Sequence, residues 1–342
     1  MEITRGGIGW GHYPQVRYDP ALQRAVRRHV LLIPGQGCVP WLRTAGQCCP
    51  FCRLPAASRE AVLGPEHEGR TEAWPVAPDD HREMIDTGLA AADGAEEIVA
   101  FNGGSWLTDR EIPESARVHL YESARDHPSA SRLMVESRPE FVRAAALDEA
   151  ERHLGDVRLK VAIGLESTEA EVRNGNLRKF IGWRSFEDAI KRLHARGMES
   201  FVYVFLGAPG LSPHAALSDA KRSVRRLAGM GVNEIALSCA FVPPGGPLEQ
   251  SYRSGAFRPP SLWTIVALLE RAVAHGWPVS LGGFDDVPPP VAIPANCGRC
   301  DSAVHDVLDG FRQTGHLDTA SLPDCSCRGR LDAAAVARAA VL

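Results

Sequence analysis

The sequence predicts an α/β fold: a partial or complete TIM-like (β/α) barrel followed by a small cysteine-rich C-terminal extension. Two observations carry that reading. From about residue 29, short β-branched apolar runs alternate with amphipathic stretches, which is the pattern of strand-helix units on a parallel sheet. Roughly six or seven such units recur, enough for such a barrel, whose active site sits at the C-terminal ends of the strands. In addition, eight of the nine cysteines fall into two groups, one directly after the first predicted strand and one beyond a proline-rich crossing.

Taken in order, the predicted strands are HVLLIP (29–34), EEIVAFNG (96–103), RLMVES (132–137), VRLKVAIGLE (157–166), SFVYVFLG (200–207), EIALSCAF (234–241) and PVSLGG (278–283). The helices between them are PESARVHLYESARD, SFEDAIKRLHARG, HAALSDAKRSVRRLAGMG and SLWTIVALLERAVAHG. Each repeats apolar residues at three- and four-residue spacing, and several end in glycine. Residues 54–93, polar and Pro/Gly-rich at first, read as a loop and lid segment that becomes helical. At DDVPPPVAIPANCGRCD the pattern changes, so residues 1–283 are assigned to the barrel with an N-terminal extension and 284–342 to a metal-binding extension.

Composition narrows the function classes. The 342 residues are 44% hydrophobic with a formal charge of -4, so the chain can bury a large core but has no global basic field for unaided nucleic-acid binding. Only four of its 38 basic residues are lysine (Lys160, Lys179, Lys191, Lys221), which reads as genomic compositional bias. The start, MEITRGGIGWGHYPQ, lacks a basic region followed by an apolar run. No stretch approaches the roughly 20 apolar residues of a membrane span. The expectation is a cytoplasmic protein with no membrane partner. Cysteines clustered in a reducing compartment indicate metal or redox chemistry and not a disulfide framework. Cys239 stands alone in an apolar run and reads as a small buried hydrophobe.

The segment LLIPGQGCVPWLRTAGQCCPFCRLP places Cys38 after the first predicted strand and Cys49 and Cys52 in a C-x-x-C pair. Three thiolates in one loop can hold three irons of a [4Fe-4S] cluster and leave the fourth open. A structural zinc loop is the alternative, but it wants a fourth nearby ligand. Cys48 is cramped beside Cys49, and His67 and the tail cysteines are distant in sequence. Cys48 also stands as an alternative to Cys49 among the cluster ligands.

The C-P-F-C form, with Phe51 before the last cysteine, resembles the signature of the radical S-adenosylmethionine (SAM) superfamily, in which that aromatic packs near the adenine. Ten residues separate Cys38 from Cys49 where the commonest form has three. Long first spacings also occur in the Elongator catalytic subunit and in the radical SAM subunits of archaeosine synthase, and the G-C-V-P-W frame is similar to the second. The resemblance implies a radical SAM barrel in which SAM's amino and carboxylate groups bind the open iron, and an electron from the cluster cleaves SAM to a 5'-deoxyadenosyl radical.

Further motifs extend the resemblance. Asn102, Gly103, Gly104 and Ser105 resemble the glycine-rich motif that binds the SAM amine, where glycine lets the backbone approach its ligand. Glu136 and Arg138 lie in a segment resembling the E-x-R-P-E element, and Glu166 ends a run resembling the G-L-E-[ST] element that contacts SAM. A carboxylate there accepts hydrogen bonds from the ribose hydroxyls or the α-amino group. Arg178, Lys179, Tyr203, Arg253 and Arg258 lie in later segments similar to the same subunit and stand between SAM or substrate contacts and ordinary packing or surface roles. The likeness covers roughly residues 28–330. In the tail, NCGRCD and PDCSC supply Cys297, Cys300, Cys325 and Cys327, an S4 set suited to zinc or an auxiliary iron-sulfur cluster.

Three functions follow as expectations. The first is a radical SAM enzyme, of lyase or oxidoreductase type, that abstracts hydrogen from a small-molecule or nucleoside substrate, with carbon-nitrogen cleavage as one outcome and an electron donor such as flavodoxin or ferredoxin. The second is a tRNA-modifying enzyme of archaeosine synthase type acting with a partner. The third is a zinc-stabilised binding protein without SAM chemistry.

Overall fold

The computed structural model describes residues 11–63, 76–284 and 289–329. His67, the first ten residues of the N-terminal extension, part of the crossing at 284 and the last thirteen residues of the tail lie outside the described residues. Eight strands form one sheet whose spatial order follows the chain order, β1 to β8. They are β1 (Gly11–Asp19), β2 (Arg24–Leu32), β3 (Glu97–Phe101), β4 (Arg132–Glu136), β5 (Arg158–Glu166), β6 (Glu199–Leu206), β7 (Glu234–Cys239) and β8 (Val279–Leu281). The pairs β2/β3, β3/β4, β4/β5 and β7/β8 are parallel, with Leu31 opposite Ala100 and Val135 opposite Val161. The sheet is open, so of the two barrel forms the sequence allows, the partial one is observed.

Parallel neighbours need long crossovers, and helices supply them. In chain order these are α1 (Val39–Arg43), α2 (Leu54–Leu63), α3 (Pro78–Ala90), α4 (Glu114–Asp126), α5 (Ala144–Leu154), α6 (Trp183–Ala195), α7 (Pro213–Gly229), α8 (Pro247–Arg253), α9 (Leu262–Ala274) and α10 (Asp301–Thr314). The predicted strands and helices all form, with ends shifted by a few residues. Two elements differ. β1 joins the sheet through a four-residue connection to β2, and its mixed, half-exposed pattern carries no alternation that sequence reading recognises. Residues 54–63 are helical where a loop is expected: Pro55 sits in the first turn of α2, where a missing N–H breaks no intrahelical bond.

The described chain divides into two compact units. One comprises residues 11–17, 26–165 and 178–202; the other comprises 18–25, 166–177 and 203–329. In the first, the starts of the strands carry a buried charge network. Arg28 on β2 meets Glu97 on β3 at 2.7 Å, Arg132 on β4 meets Glu97 at 3.3 Å and Glu199 on β6 at 2.8 Å, and the Lys160 ammonium on β5 lies 3.7 Å from Glu97. All five side chains are at most 7% exposed. The opposite ends of these strands carry the candidate site. In the second unit α10 packs on α9 and β8, and Arg312 donates to the Gly282 carbonyl at 2.9 Å.

Candidate functional site: a cysteine loop, a glycine turn and a sulfur cluster

Cys38 is the N-cap residue of α1, six residues past the end of β2. α1 is a single short turn that ends at Thr44, whose hydroxyl accepts from the Cys48 N–H at 3.1 Å. This fold-back returns the chain so that Cys49 comes close enough to Cys38 to influence its ionisation, and both influence that of Cys52. Cys49 has a left-handed backbone (φ 47°), and the Cys52 N–H donates to its carbonyl at 2.9 Å, closing the C-x-x-C turn. Burial pushes Cys38 up to about 12 and raises Cys52. Cys49 is held down at about 6 by a hydrogen bond from the Cys48 thiol, aided by the charges of Lys179 and Arg138. Cys48, at 2% exposed, is the interior member of that pair. Phe51 lies under the Lys179 ammonium, 5.6 Å from its ring centre.

Beside this loop runs the turn after β3. Gly103 (φ 69°) abuts the start of α2: a Cβ there would stand 3.2 Å from the Leu54 carbonyl oxygen. At Gly104 a Cβ would run into the Glu111 carboxylate and come within 3.4 Å of Cys38 Cα. Ser105 Oγ accepts from the Arg138 N–H at 3.2 Å, and the Glu136 carbonyl accepts from the Trp106 N–H at 2.7 Å, so the turn is bound to the end of β4. Asn102 is 5% exposed, yet neither its amide nitrogen nor its amide oxygen has a hydrogen-bond partner among the described residues. Its nitrogen lies 3.2 Å from where a Gly35 Cβ would stand, just ahead of the cysteine loop.

Sequence reasoning missed Glu111. The residue is fully buried; one carboxylate oxygen accepts from the Val39 N–H at 2.9 Å and the other from the Ser105 N–H, while its carbonyl accepts from the Gln36 N–H at 2.8 Å. One side chain thus fastens the cysteine loop to the glycine turn. Burial raises its carboxyl to about 7. Nothing in T-D-R-E-I-P distinguishes that glutamate from a solvated loop residue, because both anchors are backbone groups.

A cavity of about 320 Å³ opens beside α1, lined by Arg43, Arg110, Arg138, Arg143, Glu140 and Phe180 among others. Arg138 is braced across it, donating to Glu140 at 2.6 Å and to the Phe180 carbonyl at 3.3 Å.

The other predicted residues lie elsewhere. Glu166 ends β5 in a left-handed conformation (φ 71°) and is buried; the residues after it are tied within the second unit, where Ser167 donates to Asp219 at 2.8 Å. Arg178 is exposed and Tyr203 half-buried on β6. Arg253 pairs with Glu249 on its own helix, and Arg258 donates to the Tyr252 carbonyl at 2.7 Å and lies over the Tyr252 ring at 4.6 Å. Both spend their charge locally. Cys239 is buried in β7.

The tail cysteines form a second, tighter constellation. Cys297 Sγ lies 3.8 Å from Cys300 and 3.7 Å from Cys325, and Cys300 lies 3.5 Å from Cys327. All four sulfurs fall within 4.8 Å of one another, the set among the described residues that can close around a metal ion. The Cys297 thiol is held down at about 6, first by a hydrogen bond from the Arg299 backbone N–H.

Comparison with known proteins gives these sites a setting. No family model matches the chain. It is 26% identical over 286 residues to archaeosine synthase subunit beta of Methanosarcina acetivorans, covering 81% of this chain and 80% of that one. The protein of the same name from Thermococcus kodakarensis is 26% identical over 239 residues, 70% of each chain. Among solved structures, methylornithine synthase overlays with a TM-score of 0.48 at 13% identity, covering 76% of this chain and 72% of that one. No helix among the described residues is long and apolar enough to cross a membrane. The resemblance that the motifs carry to the archaeosine synthase β subunits is borne out by these two relatives.

Proposed function

We propose that this chain is a radical SAM enzyme that holds a [4Fe-4S] cluster on Cys38, Cys49 and Cys52 and binds SAM at the turn after β3. The observation that carries the reading is the pairing of a three-thiol loop with an adjacent glycine turn and a buried amide, Asn102, that has no hydrogen-bond partner among the described residues. A buried amide without hydrogen bonds costs about 1 to 3 kcal/mol, and a polar ligand at the turn removes that cost. When bound, the cluster supplies the electron that cleaves SAM to a 5'-deoxyadenosyl radical, which takes hydrogen from the substrate.

The chain's own residues prepare that site. Lys179 and Arg138 favour the thiolate form that binds iron, and Cys48, buried behind Cys49, donates a hydrogen bond and leaves ligation to its neighbour. Gly103 and Gly104 let the turn pack tightly against Leu54 and the Glu111 carboxylate, where a Cβ has no space, while Asn102 offers one donor pair and one acceptor to the amino acid end of SAM. Glu136 and Arg138, at the end of β4, complete the polar set, and Phe51 presents an aromatic face to the adenine. The electron comes from a flavodoxin- or ferredoxin-type donor, and the substrate is a small molecule or nucleoside.

The arginine-lined cavity beside α1 favours an anionic substrate, and with the relatives' name it supports a second reading: modification of a 7-deazaguanine nucleoside within tRNA, with carbon-nitrogen cleavage, alongside a partner subunit. Anaerobic reconstitution with iron and sulfide, followed by SAM and dithionite, tests the first reading. About four irons bound by the loop and release of 5'-deoxyadenosine, both lost in Cys49→Ala, are expected. Protein that binds no iron, or binds it without cleaving SAM, sinks the reading. Salt-dependent tRNA retention by the chain with its partner separates the second reading from the first.

A further inference from the structure

We infer that Cys297, Cys300, Cys325 and Cys327 bind a single zinc ion and not an auxiliary iron-sulfur cluster. Four thiolates around one ion at a metal-sulfur distance of about 2.3 Å stand at the corners of a tetrahedron with edges of about 3.8 Å. The three contacts in this site are 3.8, 3.7 and 3.5 Å, and no pair of the four sulfurs exceeds 4.8 Å. A four-iron cubane gives each thiolate its own iron and points the thiolates away from one another, so none approaches as thiolates on a shared ion do. A two-iron cluster pairs its thiolates and separates the pairs. Four sulfurs gathered this closely leave room for one ion.

The surroundings suit a closed, permanent site. Gly298 takes a left-handed backbone (φ 84°) inside the C-x-x-C turn. Asp301 fixes that turn from the start of α10, accepting from the Gly298 and Asn296 N–H groups at 3.1 Å each. The Trp263 indole on α9 donates to Cys327 Sγ at 3.1 Å, and the Asn296 amide to Cys300 Sγ at 3.5 Å. Such N–H···S bonds spread thiolate charge and orient the ligands. Arg328 stacks over the Trp263 ring at 5.0 Å and pairs with Glu270 at 2.9 Å, anchoring the second pair of cysteines to the same helix. Four soft thiolates in a tetrahedron select zinc, saturate it and leave no open position for substrate or SAM. The ion therefore acts as a crosslink that fastens residues 296–301 and 325–328 to α9.

This inference stands apart from the reading of the cysteine loop, and one experiment separates their failures. The full chain is purified anaerobically, and zinc, iron and acid-labile sulfide are counted in the wild type, in Cys38→Ala/Cys49→Ala/Cys52→Ala and in Cys325→Ser. One zinc per chain that survives the loop triple variant and is lost in Cys325→Ser is expected. Because Cys325→Ser can fail to fold, the wild type supplies an independent measurement: zinc-edge X-ray absorption with four sulfurs at about 2.3 Å and no metal-metal scattering. Iron with sulfide retained by the loop triple variant, or a wild-type chain holding no zinc, overturns the inference. Loss of SAM cleavage with zinc intact bears on the loop alone.

Discussion

The two cysteine groups differ in the property that separates a structural metal site from a reactive one. The tail has four thiols at contact distance, hydrogen bonds already directed at three of the sulfurs, and no orphaned polar group beside them among the described residues. The loop has three thiols, a turn at Gly103 and Gly104 packed tightly on Leu54 and Glu111, and an adjacent buried amide whose two polar atoms are unmatched among the described residues. Around the four-thiol set the hydrogen-bonding groups are matched by the protein itself, whereas beside the three-thiol loop the Asn102 amide is left unmatched among the described residues. Counting cysteines does not reveal this difference; the hydrogen bonding left unmatched does.

The same contrast extends to what stabilises each unit, and the largest expected effect lies at the tail. Structural zinc in small domains contributes about 10 kcal/mol or more to folding, so losing it removes most of the local stability. Cys300→Ser, or treatment with a strong chelator, is expected to lower the thermal midpoint by more than about 10 °C and to expose α9 and α10 to hydrogen exchange. Cys38→Ser, in cluster-free protein, is expected to shift the midpoint by less than about 2 °C, because its loop is tied by hydrogen bonds from Val39 and Cys48 and not by a metal. Equal shifts from the two variants would erase the distinction.

In the loop's own unit the corresponding crosslink is ionic. Glu97 is the acceptor that Arg28, Arg132 and Lys160 share. Glu97→Gln keeps the volume but removes the carboxylate that Arg28 pairs with and leaves Arg132 and Lys160 to Glu199, and breaking a buried network in this way costs about 3 to 5 kcal/mol. Urea unfolding should show that loss with the tail zinc still bound. A change below about 1 kcal/mol would mean that water, and not Glu97, compensates these cations.

Much of this was legible in the sequence. Each strand from β2 to β8 announces itself by its apolar run, and the helices by their spacing, because both signals come from the demand to bury side chains. The cysteine groups were legible because thiols cluster along the chain as well as in space. What escaped was set by partners distant in sequence. Lys160 reads as one basic residue among many, yet it is 1% exposed because Glu97 and Glu199 arrive from other strands. β1 was missed because a half-exposed edge strand needs no apolar alternation. The choice between zinc and a second cluster was out of reach, since C-x2-C and C-x-C motifs suit both and only the sulfur separations divide them.

Glu111 is the residue whose role emerged from the structure alone, and it supplies the smallest effect. Its carboxylate receives two backbone N–H groups, from Val39 and Ser105. Glu111→Gln replaces one of those acceptor oxygens by a donor, so one bond becomes a clash of donors, at about 1 to 3 kcal/mol. The same burial makes the residue titrate near pH 7, where an unfolded glutamate titrates near 4.5. The folded chain therefore holds the proton more tightly than the unfolded chain, and the stability this gives is complete below pH 4.5 and lost as pH rises through 7. For a shift of this size the full change is at most about 3.5 kcal/mol. In cluster-free protein, wild type should lose stability relative to Glu111→Gln between pH 5 and pH 8, because the glutamine cannot ionise. Parallel stability curves for the two proteins over that range would show that the carboxylate is already charged at pH 5, and that its two backbone donors outweigh its burial.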